Sequence, residues 1–207
     1  MIVIIMGPQG SGKGTQADKL ADKFDMIHVS TGDILRDEVQ RHGKYEDIVK
    51  ECMNKGELVP DKINDAIVKK VVERYKKGLI LDGYPRSMHQ AQEILNMTKI
   101  DYIISLNIDD ETAVKRISKR LICTSNHKVF IEGKITKEDI KECEDSGGKI
   151  IKREDDTPEN VKSRLKVYHE ETAPIIDYFK KQKQKVIEVD ATKPINEVYE
   201  DILKLMN

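Results

Sequence analysis

A short apolar run, Ile2-Val-Ile-Ile-Met6, leads without a break into Gly7-Pro-Gln-Gly-Ser-Gly-Lys13-Gly-Thr15. No other stretch restricts the fold as much. A continuous, largely β-branched run predicts a strand buried on both faces, the kind found in parallel sheets covered by helices. The glycines let successive backbone N–H groups turn toward one point. Ala17, Leu20, Ala21 and Phe24 then fall at helical spacing, so a helix adds its positive end to that point. The segment fits G-x-x-x-x-G-K in the order strand, loop, helix, which makes it a phosphate cradle, with Lys13 as a mobile charge for β- and γ-phosphates. An ordinary glycine-rich turn is the competing reading, and the flanking strand and helix argue against it. Gly14 rather than a hydroxyl residue follows the lysine, and the hydroxyl comes at Thr15. Mg²⁺ is therefore not expected to rest on that hydroxyl. Asp82, closing the apolar run Leu79-Ile-Leu-Asp82, is the natural carboxylate for it, through water or phosphate; the alternative is a helix or turn cap.

The rest of the chain alternates strands with helices. Short strands are expected at 27–30, 79–82, 102–108 and 186–189. Helices are expected across 31–77, where Ile63, Ile67, Val71 and Tyr75 form a stripe, and from Asp109 or Asp110 to about Arg120. Another starts at Thr157-Pro158 and runs past Pro174 with a kink, and a last one starts at Pro194. This alternation predicts an α/β fold, a parallel sheet with helices on both faces. Residues 30–60 and 120–155 interrupt it and read as inserts.

Composition excludes several classes. Lys and Arg total 36 against 37 Asp and Glu, without the basic excess expected of a chain that binds nucleic-acid polymers. Cys52, Cys123 and Cys143 are too few and too scattered for a disulfide framework, which favours a reducing compartment. The apolar start lacks the flanks of a signal peptide, and no run is long enough to span a bilayer. The expectation is a cytoplasmic protein without a membrane partner.

Further segments point one way: G-S-G-K-G-T-Q-A at 10–17, S-T-G-D-I-L-R at 30–36, G-E-L-V-P-D at 56–61 and L-D-G-Y-P-R-S at 81–87 with Gln90. R-E-D-D at 153–156 and Y-H-E-E-T-A-P at 168–174 complete the set. On these the chain resembles the adenylate kinases, within the nucleoside monophosphate kinases, over nearly its whole length. The resemblance implies a single P-loop kinase domain with core 1–29, 60–118 and 157–207, an AMP-binding insert at 30–59 and a mobile lid at 119–156. It implies reversible, Mg²⁺-dependent phosphoryl transfer from ATP to AMP, giving two ADP.

Position by position, the resemblance implies ATP contacts from Gly10, Ser11, Gly12, Lys13, Gly14, Thr15, Arg116, Arg120, Phe130 and Lys193. It implies AMP contacts from Thr31, Arg36, Glu57, Leu58, Val59, Gly83, Tyr84, Pro85, Arg86 and Gln90, with Arg153 and Arg164 clamping phosphates. Lys13, Arg86, Arg120, Arg153 and Arg164 would carry the catalysis. The chemistry calls for such a set independently, because the two nucleotides bring about six negative charges into one closed site. Arginine's planar fork suits phosphate oxygens, and no general base is needed when the acceptor phosphate is already largely dianionic. Thr31 and Gln90 favour adenine in the acceptor pocket; UMP/CMP kinases typically have Ala at the first place and a shorter lid. Those kinases, and a P-loop binding protein without turnover, are the alternatives. Asp33 and Asp155 read as caps or as groups that orient arginines.

Three departures from the family pattern stand out. Gln9 occupies a place where many members have Pro. The four positions that hold zinc in some lids read Cys123, Asn126, Cys143 and Ser146, so structural zinc is not expected, and Asn126 and Ser146 suit the hydrogen-bonding role of metal-free lids. His127 reads either as a substitute ligand or as an exposed histidine. Ile131 replaces a histidine common in relatives, which leaves Phe130 to pack by the donor base.

Overall fold

The computed structural model describes residues 1–75 and 78–206. Its centre is a five-stranded, wholly parallel sheet in the order β2-β3-β1-β4-β8. These strands are β1 (Ile2–Met6), β2 (Ile27–Ser30), β3 (Leu79–Asp82), β4 (Tyr102–Asn107) and, last in the chain, β8 (Val186–Asp190). β1 is buried along its whole length, and its alternate side chains enter two different clusters. Ile4 packs with Leu81, Ile94 and Phe179 on one face, and Ile5 with Leu20, Ile104 and Val198 on the other. Each such burial is worth about 1.5–3 kcal/mol, which explains why a strand in this position must be apolar throughout.

The helices are α1 (Lys13–Phe24), α2 (Thr31–Gln40), α3 (Glu46–Lys55), α4 (Asp61–Arg74), α5 (Met88–Met97), α6 (Asp110–Ser118), α7 (Lys137–Asp145), α8 (Pro158–Val167), α9 (Pro174–Lys181) and α10 (Ile195–Met206). Local signals set several starts: Ser30, Ser87, Asp109 and Thr157 each accept a hydrogen bond from the backbone N–H three residues on. The expected kink before Pro174 is a π-turn at Tyr168–Thr172, where the Ala173 N–H reaches the Tyr168 carbonyl. Pro174, which has no N–H to donate, then restarts the helix. α6 stops at Ser118, short of the expected Arg120, which instead opens a strand.

The 30–59 segment, α2 and α3, packs Leu35, Val49 and Val59 with Ile63 of α4 into a small apolar cluster. The 119–156 segment carries an antiparallel sheet, β6-β5-β7, from β5 (Arg120–Cys123), β6 (Val129–Ile131) and β7 (Ile150–Ile151). Its core is Cys123, Phe130 and Cys143.

The cysteines are a correction to the sequence reading. Cys123 and Cys143, read as scattered thiols, form a disulfide, and only Cys52 is free among the described cysteines. The end of β5 and the last turn of α7 bring the two sulfurs together, a juxtaposition that sequence spacing cannot reveal. Asn126 and Ser146 bond locally, to the Lys128 N–H and the Cys143 carbonyl. Among the described residues no group of three or more His, Cys, Asp or Glu is arranged to hold a metal ion. Thiol titration of the unfolded chain should therefore count one thiol before reduction and three after it, with no stoichiometric zinc. Three thiols before reduction, together with one bound zinc per chain, would contradict this.

No helix among the described residues is long and apolar enough to cross a membrane.

Candidate active site

The carboxyl ends of the central strands open into a cleft of about 2,040 Å³, bounded by the glycine loop, α2, the start of α4 and the 119–156 segment. That exceeds the usual space for one small ligand, about 300–1,000 Å³. The loop between β1 and α1 forms one wall. Gly10 sits at φ 79°, and a Cβ there would meet the Ala113 carbonyl oxygen at 2.8 Å, so only glycine lets the loop pass beneath α6. Lys13 folds back over the loop, donating to the Gly7 and Pro8 carbonyls at 2.8 and 2.9 Å. Desolvation in the cleft lowers its pKa to about 8; Asp82 resists this, and Arg86 and Arg120 reinforce it.

Asp82 ends β3 beside the loop, with Oδ2 3.7 Å from where a Cβ on Gly14 would lie. Burial alone would raise its pKa, but His28 and Lys13 outweigh that and hold it ionised below the ordinary carboxylate range. His28, on β2, is a residue the sequence reading missed. Burial opposes its charge, yet the Asp18 carboxylate bonded to Nδ1 and the Asp82 carboxylate 3.7 Å from Nε2 raise its pKa to about 9.

Thr31 and Gln90 are both buried. Thr31 Oγ1 donates to the Gly83 carbonyl at 2.8 Å. Gly83 itself lies at φ 81°, and a Cβ there would crowd Arg86 at 2.7 Å and Thr31 at 3.0 Å. Gln90 is fixed twice, its Oε1 accepting from the Arg86 N–H and its Nε2 donating to Asp61. One amide N–H and one acceptor lone pair remain for a ligand. Glu57, Leu58, Val59 and Pro85 line the same end of the cleft. Tyr84 does not; it is buried beneath, donating its hydroxyl to Asp65.

The arginines converge. Arg36 bonds Asp33 within α2 and lies 3.9 Å from Asp155 of the 119–156 segment. Arg153 reaches Asp33 at 3.4 Å, and Arg164 on α8 is held by Asp155. Arg120 grips Asp156 through two nitrogens, Nε at 2.9 Å, and the Asp156 side chain is fully covered. Arg86 donates Nε to the Gly83 carbonyl at 2.7 Å. Burial, then crowding by Arg36 and Arg120, lowers the Arg153 pKa to about 10. Asp33, Asp82, Asp155 and Asp156 only partly offset these arginines and Lys13, so the cleft stays cationic. Asp33 and Asp155 act here as arginine partners. Asp156, within the R-E-D-D run, has no role in the sequence reading; both it and Asp155 are buried against arginines.

At the other end, Arg116 donates to the Gly10 and Thr192 carbonyls at 3.4 and 3.2 Å. Lys193 pairs with Asp201 at 2.7 Å and lines the cleft. Strand alternation turns Phe130 inward, onto Cys123 and Cys143, while Val129 and Ile131 are exposed along the cleft. Gln9 donates to the Val161 carbonyl at 2.8 Å and so ties the glycine loop to α8, a connection with no sequence signal.

The adenylate kinase family model matches residues 5–184. An adenylate kinase of Methanosarcina barkeri is 42% identical, with 98% of this chain and 96% of that protein aligned. Those of Petrotoga mobilis and Fervidobacterium nodosum are 37% and 38% identical, each over all of this chain and 97% of the relative. The chain belongs to the adenylate kinase family. The reaction of adenylate kinases is phosphoryl transfer between ATP and AMP to give two ADP, and the two-ended cationic cleft has the form such an exchange requires.

Two carboxylates in this adenylate kinase fold make its acid stability predictable. Burial favours protonation of Asp155, but Arg164, then Arg36 and Arg153, outweigh it and lower its pKa; Asp33 is lowered likewise against burial, by Arg36 first and then Arg153 and His127. A depressed carboxylate pKa contributes stability above the unfolded value, near 4, which is lost as pH falls through the folded value. Asp155→Asn should thus cost about 1–3 kcal/mol at neutral pH, and the difference from wild type should shrink as pH falls from the unfolded value through the depressed folded one. Denaturant melts across pH 2–8 check this; a difference independent of pH would contradict it.

Proposed function

We propose that this chain catalyses reversible transfer of the γ-phosphoryl group of ATP to AMP, with the nucleotides at opposite ends of the cleft. The observation that carries this is the convergence of Lys13 and Arg36, Arg86, Arg120, Arg153 and Arg164 on one space between them. A binding protein without turnover needs no second guanidinium set facing its phosphate loop.

In this reading ATP lies along Gly10, Ser11, Gly12, Lys13, Gly14 and Thr15, its base near Arg116 and Lys193. AMP lies against Thr31, Gln90 and the 57–59 backbone, its phosphate between Arg36 and Arg86. The parts then move as core (1–29, 60–118, 157–207), insert (30–59) and lid (119–156). Closure brings Arg120, Arg153 and Arg164 onto the transferring group and excludes water, which prevents ATP hydrolysis. The carboxylates that now hold those arginines keep them extended and pre-oriented, so little is reorganised when phosphate oxygens replace them. Mg²⁺ fits beside Asp82, whose ionised carboxylate faces the loop; when bound it supplies charge neutralisation across the β- and γ-phosphates. No side chain is required as a base.

A coupled assay with AMP, GMP, UMP and CMP tests the acceptor. AMP should be preferred, because Thr31 and the remaining hydrogen-bonding positions of Gln90 penalise a base that cannot pair with them. Preference for UMP or CMP would assign the chain to the pyrimidine branch.

The donor end should be tolerant. Arg116 offers a flat cation to any base, and Val129 and Ile131 offer apolar contact without reading hydrogen-bond edges. GTP, CTP and UTP should serve within about tenfold of ATP, the effect of about 1.4 kcal/mol. Values of kcat/KM for the four triphosphates at fixed AMP check this; a preference for ATP above about a hundredfold, equivalent to about 2.8 kcal/mol, would show that backbone near Lys193-Pro194 reads adenine.

A further inference from the structure

His127 stands at the turn between β5 and β6, and no role in nucleotide binding falls to it. Its backbone lies at φ 58°, the left-handed region that costs any residue with a Cβ and that glycine occupies freely. An imidazole is nonetheless held there, and it crosses to a different part of the molecule. Nε2 donates to Asp37 Oδ1 on α2 at 3.0 Å, in the tautomer with its proton on that nitrogen. Nδ1 lies 3.9 Å from Asp33 Oδ1, also on α2, and has no hydrogen bond of its own despite being buried. The ring is only 16% exposed, so it is neither the surface histidine nor the zinc ligand that the sequence allowed.

Two features separate this contact from the arginine bridges. Asp33 already serves Arg36 and Arg153, groups that phosphate oxygens would engage once nucleotides bind. Among the described residues Asp37 has no such partner; besides His127 its carboxylate pairs only with the exposed Arg41, at 4.0 Å. The His127–Asp37 bond can therefore persist when the phosphates arrive. Nδ1, a bare lone pair in this tautomer, makes no bond to the Asp33 carboxylate 3.9 Å away, so the tie rests on Nε2 and Asp37 alone.

We propose that His127 is a positioning residue that latches the lid onto Asp37 of the insert. The proposal rests on the phosphotransfer reading, since both nucleotides must be enclosed between these parts. A contact made only when lid and insert meet stabilises the closed form, raising affinity for both nucleotides and slowing their release.

The test uses the full chain carrying His127→Gly, His127→Asn, Asp37→Ala, and His127→Gly with Asp37→Ala. Gly and Asn both tolerate the left-handed backbone, and neither reaches Asp37, so the variants should fold with Tm unchanged or raised. The readouts are steady-state kinetics and the Kd of bis-adenosine pentaphosphate, a probe that spans both nucleotide places. Each single variant should raise that Kd and both KM values about fivefold, with kcat unchanged or higher because reopening is easier. The double variant should be no worse than either single one. Unchanged KM and Kd in His127→Gly, a fall in kcat alone, or losses that multiply in the double variant would overturn the latch. Wild-type turnover separates the two readings: an active wild type with indifferent His127 variants removes the latch alone, whereas a wild type that makes no ADP removes the phosphotransfer reading.

Discussion

Replacing Lys13 with methionine should lower turnover by about two orders of magnitude or more and leave a folded protein. The two halves of this expectation have separate grounds. Lys13 contributes little to the fold: its ammonium bonds only the Gly7 and Pro8 carbonyls of its own loop, and desolvation already lowers its pKa to about 8. Methionine keeps the aliphatic stem and removes a charge that burial disfavours, so Tm should not fall. Turnover is a different matter. Charge developing on the transferring phosphoryl group needs a cation at the loop, and the nearby Arg86 and Arg120 are tied to the Gly83 carbonyl and to Asp156. Incoming phosphates would reverse the pKa depression and fix the ammonium in its charged form. Near-normal kcat in a folded Lys13→Met protein would mean that the loop binds phosphate without promoting its transfer.

The second large effect divides the arginines by substrate. Arg36→Ala and Arg86→Ala should raise the KM for AMP, while Arg120→Ala should act mainly on ATP and on the closed state. Each lost charge-assisted contact is worth about 1.5–3 kcal/mol, a factor of about ten to a hundred. The division follows from position. Arg36 rides on α2 and Arg86 follows β3, both at the Thr31 and Gln90 end of the cleft. Arg120 opens β5 and is anchored by Asp156, at the two ends of the 119–156 segment. Lysine should rescue Arg36 poorly, because a single ammonium cannot replace a planar fork that meets Asp33 and faces Asp155 together. An unchanged AMP KM in Arg36→Ala would show that the acceptor phosphate lies elsewhere.

What could be read from the sequence follows from the range of the interactions involved. The strand at Ile2–Met6, the loop to Lys13 and the caps at Ser30, Ser87, Asp109 and Thr157 depend on neighbours within a few residues, so pattern alone reveals them. The central sheet followed from strands alternating with helices. Residues 30–60 and 120–155 read as breaks in that alternation, and there the chain carries α2, α3 and a separate antiparallel sheet; Arg120 reads as helical because its strand, β5, is stabilised by partners at 129–131 and 150–151. The remaining features are long-range. Cys123 and Cys143 read as vacated ligand positions, and only folding of β5 against the end of α7 shows that their sulfurs meet. Phe130 reads as a ring beside the donor base; strand register packs it onto that disulfide where it lines the cleft. His28 beside Asp82, Gln9 against Val161 and His127 against Asp37 join residues distant in sequence, with no local signature. Gln90 lines the cleft, and its anchoring by Asp61 and the Arg86 N–H joins residues that no local pattern connects.

The most direct test of the account is to incubate purified protein with Mg²⁺, ATP and AMP and to quantify all nucleotides over time. Phosphoryl transfer predicts that ATP and AMP fall together, that two ADP form for each AMP consumed, and that the same equilibrium is reached starting from ADP alone. Loss of ATP with AMP untouched and inorganic phosphate released, or no conversion at all, would contradict it.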